Sequence, residues 1–456
     1  MKPRPAPAQS DPSDLFRAEL ATILNPAHEL FRLADLIDWD QVEAKVASKY
    51  ADEGRPGCSG RLMVGLHYLK YTFDQSDEAV CERWVENPYW QYFCGERYLQ
   101  HELPIDPSSL SRWRTRMGKQ FFNELLQLTL NLAVGTGLTK RSDFREVVVD
   151  TTVQEKNIAH PTDAKLYDRG RRKLVKLAQS RGLKLRQTYA RTGPADLRQH
   201  GRYCHAKQFR RARKVRRRLR NYFGRVLRDL EKKAKVAGGD WSDNELELIA
   251  RCPRVYDQKP GDKNKLYSLH EPAVQCISKG KAHKRYEFGS KVAVVSSLKG
   301  NWITASVSLE GNPYDGHTLA ESVSHSTLNT GRMPKRAFVD KGYRGHDIQD
   351  WPIEAVMPGQ KRPKLSRWMR RKLKRRTAVE PLIGHEKSDH RLGRCFLKGV
   401  LGDEINATSA AMGFNLRKVL RGLAALACAG GVGGLAAAWI GRFCESRGYG
   451  QGSLAA

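Results

Sequence analysis

Apolar positions along this chain follow two rhythms, and the change comes near residue 145. From Leu15 to about Leu138 the rhythm is helical. Leu62, Leu66, Leu69 and Phe73 recur at i, i+4, i+7 and i+11 and so share one stripe. Ser76 is placed to cap the next helix, whose first turn carries Asp77 and Glu78. A third helix has Asp106 as cap, Pro107 at its first position and Gly118 as its stop. Its core face is Leu110, Trp113 and Met117, and its other face shows Ser109, Arg112, Thr115 and Arg116. Strand rhythm begins at Arg145. Val147, Val148 and Val149 run without interruption, as in a central strand covered on both faces. After a helical stretch, strand signals resume beyond about Pro253. Lys284 to Leu298 predicts a long strand interrupted at Gly289, and Ile303, Ala305, Val307 and Leu309 alternate through the next. A turn, GNPYDG, leads to a short helix with Leu319 and Val323. Two further strands end at Asp340 and begin at Ile353, and a helix carrying Glu380 follows.

Charge narrows the choice of partner. The chain has 456 residues, enough for two to four domains, with a formal charge of +31. That excess is clustered. Between Lys165 and Lys235 there are 26 Lys and Arg against 4 Asp and Glu, a net of +22. The segment predicts long helices with one thin apolar stripe at Val215, Leu219, Tyr222, Val226 and Leu230. Its cations, Arg213, Arg217 and Arg220 among them, suit a phosphate backbone. A pair of solvated helices explains the stripe equally well, but not the scarcity of acids. Lys361 to Arg376 adds ten basic residues and no acid. Arg112 and Arg116 are spaced like the reading side chains of a helix-turn-helix recognition helix, although a solvated face has the same pattern.

Other classes fall away. The nine cysteines include no C-x-x-C pair, which excludes a zinc ribbon and suits reduced cytosolic thiols. Residues 1–14 read as a disordered tail without the apolar core of a signal peptide. Gly422 to Gly441 is charge-free but mostly alanine and glycine, so a frayed tail is expected rather than a membrane span.

Three segments carry candidate chemistry: VVVDTT at Val147 to Thr152, AFVDKGYRG at Ala337 to Gly345, and RTAVEPLIGHEK at Arg376 to Lys387. Asp150 and Asp340 end apolar strands, and Glu380 lies on a helix between basic residues. Carboxylates so arranged can hold two hard divalent cations over a phosphodiester, with Mg²⁺ expected and Mn²⁺ able to replace it. Each segment alone is ambiguous. Aspartate often ends a strand because it turns the chain, and Glu380 can simply pair with Arg376 at i, i+4. Arg376, Glu380 and Lys387 can share one helix face, so the two cations can clamp phosphates. Tyr343 reads either as a stacking residue for an extruded nucleotide or as a packed turn residue, and Arg344 beside it as a DNA contact. His385 and Glu386 compete with Glu380 for the third position, and His160 and His205 read as surface or DNA-facing residues.

These motifs together resemble bacterial insertion-sequence transposases of the DDE type, in the fifth (IS-five) family. The resemblance runs from about Asp52 to Leu416. It rests on DTTVQEKNIAHPTDAKL after Val149, HEPAVQCISKGKAHKRYEFGSKV from His270, DKGYRG at Asp340, and R-x3-E-x6-K at Arg376, Glu380 and Lys387. It implies an α/β fold with an RNase H-like core, a mixed sheet flanked by helices, and a Mg²⁺-dependent site at Asp150, Asp340 and Glu380. It further implies cleavage at the element's own ends and joining of 3′-hydroxyls to target DNA. The expected plan is a tail at 1–14, a helical DNA-binding domain at 15–140, a catalytic domain at 141–400 with a basic insertion at 165–235, and a C-terminal helix and tail at 401–456. Double-stranded DNA is the expected partner, a homodimer the expected assembly, and the bacterial nucleoid the expected location. Two alternatives stay open: a DNA-binding regulator derived from a transposase without catalysis, and a nuclease of the same fold. The chain departs from the family pattern at Leu373, where a related group has tyrosine, and at Glu386, where an apolar residue is usual.

Overall fold

A computed structural model describes residues 17–53, 57–238, 240–278, 284–359 and 366–429. The tail expected at 1–14 and the end of the chain from 430 lie outside the described residues. The chain opens with α1 (Leu20–Ile23), α2 (Glu29–Leu36), α3 (Trp39–Ala47), α4 (Gly60–Thr72), α5 (Asp77–Glu86), α6 (Pro88–Phe93) and α7 (Ser108–Gly135). Ser76 caps α5 through the Ala79 amide, and Asp106 Oδ1 accepts from Ser108 N at 2.8 Å at the start of α7. Gly118 ends the first of the two helical stretches that make up α7, as the sequence predicted. Its φ of 73° breaks the helical backbone once, and the helix resumes to Gly135 because Phe121, Phe122, Leu125 and Leu126 bury a second apolar stripe. One buried ion pair docks α7 on α5. Asp77 receives Arg114 Nη2 at 2.5 Å and Lys70 Nζ at 2.7 Å. Burial opposes the Asp77 charge, but the Arg114 and Lys70 bonds hold its carboxyl well below the usual range.

The sheet begins at β1 (Glu146–Lys156). A helical unit then intervenes: α8 (Asp163–Ser180), α9 (Thr192–His205), α10 (Phe209–Ala237) and α11 (Asp243–Asp257). It extends further than the charge run suggested. Pro253 lies inside α11 rather than before a strand, and Cys252, Val255, Leu266 and Leu269 complete the unit's core with Leu219, Phe223, Val226 and Leu230. The remaining strands are β2 (Gln275–Ser278), β3 (Tyr286–Ser297), β4 (Ile303–Leu309), β5 (Arg336–Phe338), β6 (Glu354–Val356) and β7 (Arg394–Cys395). The short β2 and β7 were not anticipated. The helices among them are α12 (Leu319–Thr330), α13 (Arg367–Arg375), α14 (Val379–Asp389) and α15 (Gly399–Ala429).

These strands form one mixed seven-stranded sheet in the order β2-β3-β1-β5-β6, with β4 also on β3 and β7 also on β1. β3 runs antiparallel to β1 in unbroken register from Val147↔Ser297 to Glu155↔Gly289. Gly289 therefore does not interrupt the strand. A Cβ there would lie 1.9 Å from the Gln154 carbonyl oxygen, so only glycine permits the two backbones to meet. β5 and β6 are parallel to β1 and to each other, respectively. One sheet face, with Val147, Val149, Ala305 and Val339, packs on Leu319 and Val323 of α12. The other, with Val148, Phe338 and Val356, packs on Val379 and Ile383 of α14 and on Met369 and Leu373 of α13. α15 crosses from the sheet to the N-terminal helices. Through it Leu66, Phe122, Val294, Ile303, Met412 and Leu416 join one continuous core.

Candidate functional site

The site follows from how β1 is paired along its length. On the side facing β5, β1 is bonded only at its two ends: residues 146–148 to β5 and 155–156 to β7. Between them the sheet splits. Parallel strands present their carboxyl ends together, and ligands in open α/β sheets gather at such ends. Asp150 is the second residue past Val148, and Asp340 the second past Phe338, which is the partner of Val148. The two aspartates thus stand at equivalent counts past the last paired residues, Asp150 within β1 and Asp340 just beyond β5. Strand alternation gives both the face of Val148 and Phe338, the face that α14 covers.

Local bonds fix both side chains. Asp150 Oδ1 accepts from Thr151 N at 2.8 Å. Asp340 Oδ1 accepts from Gly342 N at 2.7 Å and caps a turn of 3₁₀ helix at Lys341–Tyr343. Glu380 sits in the first turn of α14, exposed, next to the buried Val379 that anchors the helix on Val148 and Phe338. Both aspartates follow the last paired residues of β1 and β5, and Glu380 lies on the helix whose Val379 packs on Val148 and Phe338. Among the described residues no three His, Cys, Asp or Glu side chains stand together as a ready-made metal cage. The donor set is nonetheless all-oxygen and anionic, which fits a hard cation such as magnesium.

A third aspartate missed by sequence reading lies at the split. Asp315 Oδ1 accepts from Thr151 Oγ1 at 2.9 Å and pairs with Lys291 Nζ at 2.5 Å. Its signal was present in the turn YDGHT, which the sequence reading treated only as a turn. Tyr343 is fully buried, and its hydroxyl has no hydrogen-bond partner, Thr318 standing beside it without completing a bond. Burial first, and then Asp150, Asp315 and Asp340, push its ionisation well above the ordinary tyrosine value. Stacking of Tyr343 on a nucleotide is thereby excluded. Its ring fills the core with Leu319, Val323 and Ile348, whereas Arg344 beside it is exposed.

The basic residues divide in a similar way. Arg376 is half-buried in a 3₁₀ turn just before α14, and Lys387 is half-buried on α14. Arg112 and Arg116 are exposed, the first held by Ser108 and Ser109 hydroxyls at 3.3 Å, the second 5.5 Å over the Tyr50 ring. Arg213 and Arg217 are exposed on α10. Arg220 is instead folded back, donating to the Tyr256 carbonyl at 2.9 Å with its guanidinium 4.3 Å over that ring. His160 and His205 are exposed. Glu386 is buried beneath α14 with neither carboxylate oxygen bonded, and burial pushes it up to about 8.

Comparison with known proteins gives the family. A profile described as "Transposase domain (DUF772)" matches residues 18–116. An uncharacterized protein, ORF8 in the nfe locus of Rhizobium meliloti, is 48% identical over 206 residues, which are 45% of this chain and 100% of that protein. The chain belongs to this transposase-related family. No solved structure matches it. The profile covers α1 to the first half of α7, so the transposase-related assignment of this chain comes from its N-terminal helices and not from Asp150, Asp340 or Glu380. No described helix of this transposase-related protein is long and apolar enough to cross a membrane.

Proposed function

We propose that this protein is a DDE-type DNA transposase of the IS-five kind, acting on the terminal inverted repeats of its own insertion sequence. One observation carries the reading: parallel register gives Asp150 and Asp340 equivalent positions at a split in the sheet, under the helix that bears Glu380. An RNase H-like core is supported by a central β1, an antiparallel β3 and β4 on one side, and parallel β5 and β6 on the other.

Asp150, Asp340 and Glu380 would hold two Mg²⁺ ions, or Mn²⁺ in their place. When bound, such ions supply charge neutralisation for attack on a phosphodiester. Asp150 and Asp340 fix the oxygen ligands on rigid strand ends, where reorganisation is small. Arg376 and Lys387 flank Glu380 and grip backbone phosphates, and Arg344 reaches the same DNA from the loop after Asp340. The exposed Arg213 and Arg217 of the insertion and Arg112 and Arg116 of α7 bind duplex further out. Hydrolysis frees 3′-hydroxyls at the element ends, and the same carboxylates serve their transfer to target DNA. A homodimer pairs the two ends, in the bacterial nucleoid.

The test uses labelled duplexes carrying the element ends, Mg²⁺, and the Asp150→Ala variant. Cleavage by the wild type and none by the variant supports the reading. Duplex binding without cleavage by either form identifies a DNA-binding regulator instead, and cleavage by both overturns the site.

A further inference from the structure

The turn from Pro313 to Thr318 has no part in the chemistry above, yet it is stitched to both strand ends that carry the aspartates. From the sheet face opposite Asp150, Thr151 donates its hydroxyl to Asp315 Oδ1 at 2.9 Å. The other Asp315 oxygen reaches the loop after Asp340. A Cβ on Gly342 would lie 3.3 Å from Asp315 Oδ2 and 2.9 Å from Asp340 Oδ1, so both carboxylates close on the same glycine. The turn is bonded to that loop at two places, and the start of α12 adds a third bond. Tyr314 donates its hydroxyl to Arg344 O at 2.9 Å, Asp347 N donates to Gly316 O at 3.1 Å, and Ala320 N donates to Asp347 Oδ1 at 2.9 Å.

Lys291 completes the arrangement. It lies on β3 with its side chain only 9% exposed, and besides Asp315 it donates to Pro313 O at 2.7 Å. A buried lysine needs such partners. Its charge offsets that of Asp315. The buried Tyr343 hydroxyl, with no hydrogen-bond partner among the described residues, adds a polar atom to the loop after Asp340.

We infer that Asp315 is a positioning residue: braced by Lys291, it ties the backbone after Asp150 to the loop after Asp340 and so sets the spacing of the two metal-binding carboxylates. The inference rests on the metal-dependent reading of those aspartates. It concerns the span across the split, where no strand pairing holds the two chains together beyond Val148 and Phe338.

The experiment measures Mn²⁺ binding to the full-length protein without DNA, by titration calorimetry and by the Mn²⁺ electron paramagnetic resonance signal. Asp150→Ala, Asp315→Asn, Thr151→Val and the Asp315→Asn/Thr151→Val pair are compared, with thermal unfolding and duplex binding recorded for each. Groups that orient metal ligands are commonly worth about 10- to 100-fold in affinity, and Asp315→Asn should fall in that range. Thr151→Val, which keeps shape and removes one hydroxyl, should weaken binding in the same direction but less. The pair should be no weaker than Asp315→Asn alone, because both changes cut one path. Duplex binding should stay within about twofold, since neither side chain is needed for phosphate contact. Wild-type affinity in a folded Asp315→Asn protein, or fully additive losses in the pair, overturns the brace. No Mn²⁺ binding by the wild type overturns the reading beneath it. Binding that Asp150→Ala abolishes and both brace variants preserve overturns the brace alone.

Discussion

The inserted helical unit and the split end of the sheet treat acidic side chains in opposite ways. In the insertion, acids are scarce and tied to cations. Asp168 pairs with Arg171 at 2.7 Å and Arg172 at 2.9 Å, Asp196 with Arg218 at 2.7 Å, and Asp229 with Lys233 at 3.2 Å. These pairs lie between helices or within one turn, and they leave the outward arginines of α10 in excess. At the split, Asp315 and Asp340 both stand beside Gly342, and Asp315 pairs with Lys291. Like charges so close are costly unless a ligand uses them. Charge balanced inside an element is the mark of structure, and charge left over in a rigid setting is the mark of a site. The proposed function assigns the outward positive charge to DNA and the carboxylates at the split to a metal.

Breaking the negative side should have the largest effect. Asp150→Ala or Asp340→Ala should lower end cleavage by at least about a thousandfold in the labelled-duplex assay while leaving duplex affinity nearly unchanged. Loss of duplex binding along with cleavage would show that these carboxylates are structural. On the positive side, Asp168→Ala leaves the buried Arg171 without its partner. It should cost about 3–5 kcal/mol in denaturant unfolding, seen first in the insertion. A loss under about 1 kcal/mol would mean that the helices do not depend on internal pairing.

Glu386 offers a third contrast, a buried acid whose oxygens have no hydrogen-bond partner among the described residues. Its folded value, about 8, lies above the usual glutamate value of 4.5. The folded state therefore favours the protonated form. Stability tied to this group is fully present below about pH 4.5 and falls as pH rises towards 8. Glu386→Leu should stabilise the protein by roughly 2–4 kcal/mol at pH 7 to 8 and by little at pH 4. A pH-independent gain in melting temperature would contradict this. The smallest effect is expected from the outer cations. Arg213→Gln with Arg217→Gln should weaken duplex binding about tenfold and flatten its salt dependence by up to two phosphate contacts, with no change in cleavage at saturating protein.

Sequence patterns exposed the parts of this fold that are decided locally. The valine run of β1, the alternation in β4, the Ser76 cap and the apolar stripe of α10 all appear where periodicity placed them. Asp150 and Asp340 could be picked out because each follows an apolar run, but Asp150 does not end its strand as expected, since pairing with β3 carries β1 on to Lys156. The rest depends on distant partners. β2 and β7 are four and two residues long and exist only as additions to β3 and β1. Pro253 is a strong local stop signal, but it lies in a helix whose packing outweighs it. The burial of Tyr343 and the role of Asp315 both arise where two loops meet, and no spacing along the chain encodes that meeting.

The most direct test is a structure of the protein bound to a cleaved end duplex with Mn²⁺, the metal located by anomalous scattering. The account predicts manganese at the split between β5 and β7, held by Asp150 and Asp340, with Glu380 of α14 brought within ligand distance. Manganese elsewhere, or a duplex seated away from those three carboxylates, would contradict it.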